Sequence, residues 1–169
     1  MLSLISQGRS WYGNSELIMK IWKRHFTVED LNSFSRDTMI SHLGIVFTKA
    51  GDDYLEAEMM VDNRTCQPYG MLHGGASAVL AETLGSVAGN MCCPEDKCCL
   101  GLEINASHLH GAFSGEKVTA RAIPVHIGIS TQVWDITLTN EKGHELCVSR
   151  ITLAVRRRKQ RINLKASTS

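Results

Sequence analysis

The sequence predicts an α+β fold, with one long helix near the middle of the chain and antiparallel strands around it. Three observations carry this. Residues 74–91 repeat apolar side chains at three- and four-residue steps without a proline. Several other segments alternate apolar and polar residues at the two-residue period of a strand. Short turns join most of the strands, and no second long helix lies between them, so strands and helix segregate rather than alternate.

The elements follow in order. Thr27-Val-Glu-Asp-Leu-Asn-Ser-Phe34 reads as a short helix: Thr27 caps free amides, and Glu29 and Asp30 suit the positive end of the dipole. Val28, Leu31 and Phe34 fall at helical spacing, and a second short turn is expected around 36–42. A strand over 43–48, the turn Ala50-Gly-Asp-Asp53 and a strand over 54–61 make a hairpin, with Leu55, Ala57, Met59 and Val61 on one face. Residues 63–70 are a loop. In the helix that follows, Val79, Leu80, Thr83, Leu84, Val87 and Met91 read as the apolar stripe. Gly75, Ala78, Gly85, Ser86 and Gly89 form a second stripe of small residues. Glycine in a helix costs about 1 kcal/mol against alanine, so something approaches closely there. Tight packing against a curved sheet and the approach of a ligand both account for it. Strands are then expected over 100–106, 116–127, 131–139 and 145–155, with Pro124 marking a bulge or an edge and Asn140-Glu-Lys-Gly143 a hairpin turn. Residues 1–18 read as an extension, 19–156 as one domain, and 157–169 as a basic, solvated tail.

Composition bounds the function. The chain of 169 residues suits one domain with its own core, and 43% hydrophobic content excludes disorder throughout. A net charge of +1 identifies no partner, and no nucleic acid is expected. Neither a secretory leader nor an apolar run of about 20 residues is legible, so no membrane partner is expected and the protein reads as cytoplasmic. Six cysteines include the run Cys92-Cys-Pro-Glu-Asp-Lys-Cys-Cys99. Zinc sites space their thiolates differently, so free thiols in a reducing compartment are expected, and no metal.

The chemistry concentrates at one loop and helix. At His73-Gly74 the first amides of a helix lack internal partners and favour negative charge. Such a corner suits the oxygen of a thioester and the charge that develops on attack. Glu82 lies two turns on, among Val79, Leu80, Ala81 and Leu84, and Ser86 shares its face at i+4. A carboxylate with a hydroxyl beside it suits attack on a carbonyl or activation of water. A surface glutamate satisfies the same periodicity. Gln67 is not singled out by the residues alone, and Asp135 is free to pair with a histidine. The scattered histidines have no zinc spacing, and no serine elbow, phosphate loop or dinucleotide fingerprint is present.

The run Arg64-Thr-Cys-Gln-Pro-Tyr-Gly-Met-Leu-His-Gly-Gly-Ala-Ser-Ala-Val-Leu-Ala-Glu-Thr-Leu-Gly-Ser86 resembles the hotdog-fold acyl-CoA thioesterases, in the aryl-CoA branch with a glutamate in the helix. Gly51-Asp-Asp-Tyr-Leu-Glu-Ala, Gly101-Leu-Glu-Ile-Asn-Ala and Gln132-Val-Trp support it, so the resemblance spans nearly the whole domain. It implies a curved antiparallel sheet wrapped around one central helix, and dimers commonly paired into tetramers with sites across subunit interfaces. It implies Glu82 as nucleophile or general base, Gly74 as the oxyanion amide aided by Gln67, His73 on the thioester side, and Ser86 on the water. Gln67, His73 and Gly74 then come from one subunit, and Glu82 and Ser86 from its neighbour. The substrate is an acyl-CoA or acyl-carrier-protein thioester, and coenzyme A is part of it, so no cofactor is implied. Relatives often carry arginines where this chain reads His108-Leu-His110-Gly and Ile127-Gly128-Ile129-Ser130. That leaves His108, Gly128 and Ser130 as coenzyme A contacts, with Lys117, Arg121 or the tail arginines as substitutes for the missing charge. Two other functions fit the fold. An enoyl-CoA hydratase would use an aspartate–histidine pair that His73 and Glu82 do not reproduce. A non-catalytic acyl-CoA binder would have no use for the full set of polar residues.

Overall fold

The computed structural model describes residues 20–158. The expected extension over 1–18 and nearly all of the basic tail lie outside these residues. The elements are α1 (Val28–Phe34), α2 (Met39–His42), β1 (Val46–Ala50), β2 (Leu55–Met60), α3 (Gly74–Met91), β3 (Lys97–His108), β4 (Lys117–Ile127), β5 (Thr131–Asn140) and β6 (Glu145–Arg157). All strand pairs are antiparallel, in the order β1-β2-β4-β5-β6-β3. Helix α3 packs against β2 to β6, so the expected sheet around one central helix is the fold observed. None of the described helices is long and apolar enough to cross a membrane.

The core lies between α3 and the inner face of the sheet. Leu55, Ala57, Met59 and Val61 all face it, as their alternation predicts. Trp134, Ile136, Leu138, Ile151 and Leu153 complete it from β5 and β6. Trp22 stacks on Trp134, with ring centroids 6.3 Å apart, and closes one end.

Helix α1 begins as expected, with a reciprocal capping box: Asp30 N–H donates to Thr27 Oγ1 at 3.1 Å, and Thr27 N–H to Asp30 Oδ2 at 2.9 Å. Those bonds from Thr27 hold the Asp30 carboxyl below its usual range. The far end of α3 is finished without a glycine. A helix leaves its last carbonyls unpartnered. Here Gln132 Nε2 donates to Gly89 O, and the Lys23 and Arg24 amides donate to Met91 O. The Arg24 guanidinium gathers the carbonyls of Cys93, Pro94 and Lys97.

The face of α3 that is buried differs from the stripe expected. Ala76, Ser77, Leu80, Ala81, Leu84, Gly85, Ala88 and Gly89 point into the sheet, while Val79, Thr83, Val87 and Met91 are half-buried on the flank. The reason is proximity. A Cβ on Gly85 would lie 2.5 Å from Ile151 Cγ2, and one on Gly89 2.3 Å from Leu153 Cδ1. At these two positions the helix sits so deep over β6 that only glycine fits beneath it. At these two glycines tight packing, rather than a ligand, is what approaches.

Of three smaller expectations, two are corrected and the one at Pro124 holds as a bulge. The first strand starts at Val46 rather than 43, because Leu43 caps α2 and Gly44 turns with φ 70°. Pro124 marks a bulge in β4, between Pro124 and His126, beyond the last residue paired to β2. Asp135 pairs with no histidine: Arg150 on β6 holds both its oxygens, at 2.5 and 2.8 Å.

Candidate active site

The loop before α3 is drawn tight by backbone bonds from Gln67 N to Met71 O and from Gly70 N to Gln67 O. His73 then serves as N-cap, its Nδ1 accepting from the Gly75 amide at 2.8 Å. Because Nδ1 accepts, the ring proton resides on Nε2, which is left as a donor. The Gly74 amide has no acceptor among the described residues. It is therefore the orphan donor that an oxyanion site needs. Gln67, Gly74 and His108 line one cavity of about 370 Å³, with Leu72 and Ala112 behind them. The His108 ring lies flush on Gly74, where a Cβ would meet Nε2 at 2.9 Å. His73 itself is exposed beside this cavity.

Glu82 is half-buried on the flank of α3. The Ser86 hydroxyl donates to its Oε1 at 3.2 Å, one turn further on, as the i+4 spacing predicts. On the other side stands Gly101 of β3, with a virtual Cβ only 2.8 Å from the same oxygen. Asn90, a further turn along, ties helix to strand: its side chain accepts from the Cys99 amide at 3.0 Å and donates to Cys99 O and Ser86 O. Neither Asn90 nor Gly101 was picked out from the sequence as a site residue. The available signal was a lone glycine inside an otherwise regular strand.

Beyond Ser86 an apolar groove of about 520 Å³ runs between α1 and α3. Phe26, Leu31, Phe34, Phe47, Val87 and Met91 line it. The apolar residues displaced from the helix core thus form the wall of a cavity next to the carboxylate.

The candidate residues therefore fall in two clusters, one at the start of α3 and one at its middle. The eight residue steps from Gly74 to Glu82 rise about 12 Å along the helix. Within this protomer the structure brings together Gln67, Gly74 and His108, and separately Glu82 and Ser86. Gly128 and Ser130 stand apart from His108: their β4–β5 turn shares the sheet end where Thr131, Ala154 and Leu100 align, whereas His108 aligns with Cys147. Gly128 is required by the turn, since a Cβ there would lie 2.8 Å from Thr131 O. Lys117 and Arg121 are engaged with Glu58 and Glu56, at 3.1 and 2.8 Å.

All six cysteines are free. Cys93 and Cys99 bring their sulfurs to 3.3 Å. Burial pushes the Cys92 thiol up to about 12, and burial followed by the Cys93 contact raises Cys99. Thiols so protected are poor nucleophiles. Among the described residues no group of three or more His, Cys, Asp or Glu is placed to hold a metal ion.

Residues 69–147 match the family model described as the thioesterase superfamily. The chain is 53% identical over 135 residues to the proofreading thioesterase EntH of Cronobacter sakazakii, spanning 80% of this chain and 98% of that protein. Among solved structures, a thioesterase from Haemophilus influenzae superposes with a TM-score of 0.79 at 50% identity, covering 81% of this chain and 95% of the other. A variant of a Pseudomonas aeruginosa thioesterase gives 0.79 at 45% identity, over 82% and 99%.

Proposed function

The chain belongs to the thioesterase superfamily, and from that premise we propose that it hydrolyses acyl-CoA or acyl-carrier-protein thioesters of hydrophobic acyl groups, aryl groups among them. One observation carries the reading: the Glu82 carboxylate is held by Ser86, and Ser86 itself lines an apolar groove. A half-buried carboxylate bonded to Ser86 near a cavity lined by Phe26, Phe34, Phe47 and Val87 suits an apolar acyl group whose reactive carbonyl meets Glu82.

The two half-sites combine through a second copy. Strand β3 is an open edge, and it carries Gly101 beside Glu82 and His108 beside Gly74. Antiparallel pairing of two β3 strands about a two-fold axis near the middle of the strand brings the Gly101 end of one copy alongside the His108 end of the other. Each Glu82 then faces the second copy's Gly74 corner. A closed two-fold dimer of this kind holds two such composite sites.

In that site the thioester oxygen accepts from the Gly74 amide and the Gln67 side chain, while His73 Nε2–H and His108 flank the sulfur side. Addition places negative charge on the oxygen, and a single amide of this kind lowers the barrier by about 2.7–4 kcal/mol. Glu82 acts in one of two ways. As nucleophile it adds to the carbonyl carbon, the C–S bond breaks, and the thiolate leaves, taking a proton. Water then cleaves the resulting acyl anhydride. As general base it takes a proton from water as that water adds, a contribution of about 10²–10⁴-fold. Ser86 steadies the carboxylate in both. The routes differ in where solvent oxygen goes: a single turnover in oxygen-18 water labels Glu82 only by the first.

The direct test follows thiol release from a panel of aryl and alkyl acyl-CoAs and acyl carrier proteins, in the native chain and in Glu82→Ala. Loss of at least a hundredfold in turnover is expected. Unchanged turnover in the variant removes Glu82 from the chemistry.

A further inference from the structure

Gly101 does not owe its identity to its own backbone. Its φ lies outside the left-handed region, unlike Gly44, Gly70, Gly115 and Gly143. It pairs in register with Leu153 of β6, one residue before a bulge. Glycine inside a strand weakens it, through chain entropy and a missing side chain, so a glycine here needs a steric reason. That reason is Glu82. A Cβ on Gly101 would lie 2.8 Å from Oε1, 3.7 Å from the carboxyl carbon and 3.8 Å from Oε2, and no other residue is as near. The helical glycines Gly85 and Gly89 differ, since aliphatic core side chains block them.

The oxygen that fills the Gly101 slot is the same Oε1 that accepts from Ser86 Oγ at 3.2 Å. The carboxylate is therefore gripped from two elements, a hydroxyl on its own helix and a missing side chain on the edge strand. We propose that Gly101 is a positioning residue for thioester hydrolysis, its bare Cα forming the slot that aims Glu82, a role that rests on the assignment of the chemistry to Glu82.

The consequence is specific. Ordinary contact begins at 3.4 Å, so a methyl group at residue 101 displaces Oε1 by several tenths of an ångström and strains its bond to Ser86. The carboxylate is the free end of a flexible side chain, so it yields and the fold does not. Misplacement of a reacting group by about 1 Å costs on the order of 10²-fold. Gly101→Ala should therefore lower kcat by about ten- to a hundredfold with KM within about twofold. Its stability should equal or exceed that of the native chain, because alanine suits a strand better than glycine.

The experiment is a cycle of four full-length proteins: native, Gly101→Ala, Glu82→Ala and the double variant, each assayed for kcat and KM and for urea stability. Support is a kcat loss in Gly101→Ala at native stability that disappears in the Glu82→Ala background, where no carboxylate remains to displace. Gly101→Ala with kcat within twofold of native, while Glu82→Ala is inactive, overturns the positioning role and leaves the Glu82 assignment intact. Full turnover in Glu82→Ala overturns both. Loss of kcat in step with loss of stability, or an equal further loss in the double variant, makes Gly101 merely structural and overturns the proposal.

Discussion

Subunit complementation tests the composite site quantitatively. One variant, Glu82→Ala, loses the carboxylate. The other, Gln67→Ala with His73→Ala, loses the polar groups of the corner. Each alone should be nearly inactive. In one protomer Gly74 and Glu82 are about 12 Å apart along α3, and the carboxylate is bonded to Ser86, a turn further from Gly74. A thioester spans much less: about 3 Å from amide to oxygen and about 3–3.5 Å from the carbonyl carbon to its attacker. No single protomer closes that gap. In a two-fold dimer of the two variants, one site takes both defects and the other takes none. Each mixed dimer holds one intact site of two, so the mixed species should recover about half of native activity. The variants carry different affinity tags, are refolded together, and the doubly tagged species is assayed for thiol release. Mixed dimers no more active than their parents would refute the cross-subunit geometry. So would full activity in an isolated native monomer.

Two further outcomes concern the scaffold. Gln132 is buried, accepts from Trp134 Nε1 at 3.0 Å and donates to Gly89 O at 3.3 Å, so Gln132→Leu leaves two polar groups unpartnered. A loss of about 2–4 kcal/mol in urea unfolding is expected at fixed protein concentration, and a loss below about 1 kcal/mol would contradict the network. The buried thiols set an alkaline limit. With Cys92 raised to about 12, and Cys99 and Cys147 also raised by burial, the unfolded chain ionises first as pH passes the ordinary value of 9.0. Their contribution is complete below that pH and falls as pH rises toward 12. Unfolding measured between pH 7 and 10.5 should show native stability falling more steeply than that of Cys92→Ala, and parallel curves would refute this.

Much of the fold is legible from local rules. The capping box at Thr27 and the bounds of α3 follow from side chains acting on their own backbone. The inward face of β2 follows from the two-residue period. What local rules miss is depth. Val79, Val87 and Met91 have the hydrophobicity of a core stripe, but Ile151 and Leu153 come so close at Gly85 and Gly89 that the buried face runs through those glycines, with Leu80 and Leu84, and leaves the three on the flank. The site divides in the same way. The Glu82–Ser86 pair is read from i+4 spacing within one helix, and the Gly74 amide from the rule for helix starts. The part played by Gly101 depends on where an edge strand crosses the helix, which no spacing encodes. Similarly, Asp135 finds Arg150 only through the β5–β6 register.

The edge strand has a bearing on how the chain is made. Strand β3 leaves the ribosome well before β6, its partner among the described residues, whose paired residues follow by about 40 to 60 positions. During that interval both edges of a 12-residue strand are bare. Bare edges are templates for other chains, and long-range pairing is slow. The surface that frames Glu82 is therefore among the last to acquire its support, and on a polysome it meets its counterparts on neighbouring nascent chains at high local concentration. The proposed pairing of two copies along this strand would cover that bare edge and make the exposed interval of synthesis the first step of assembly.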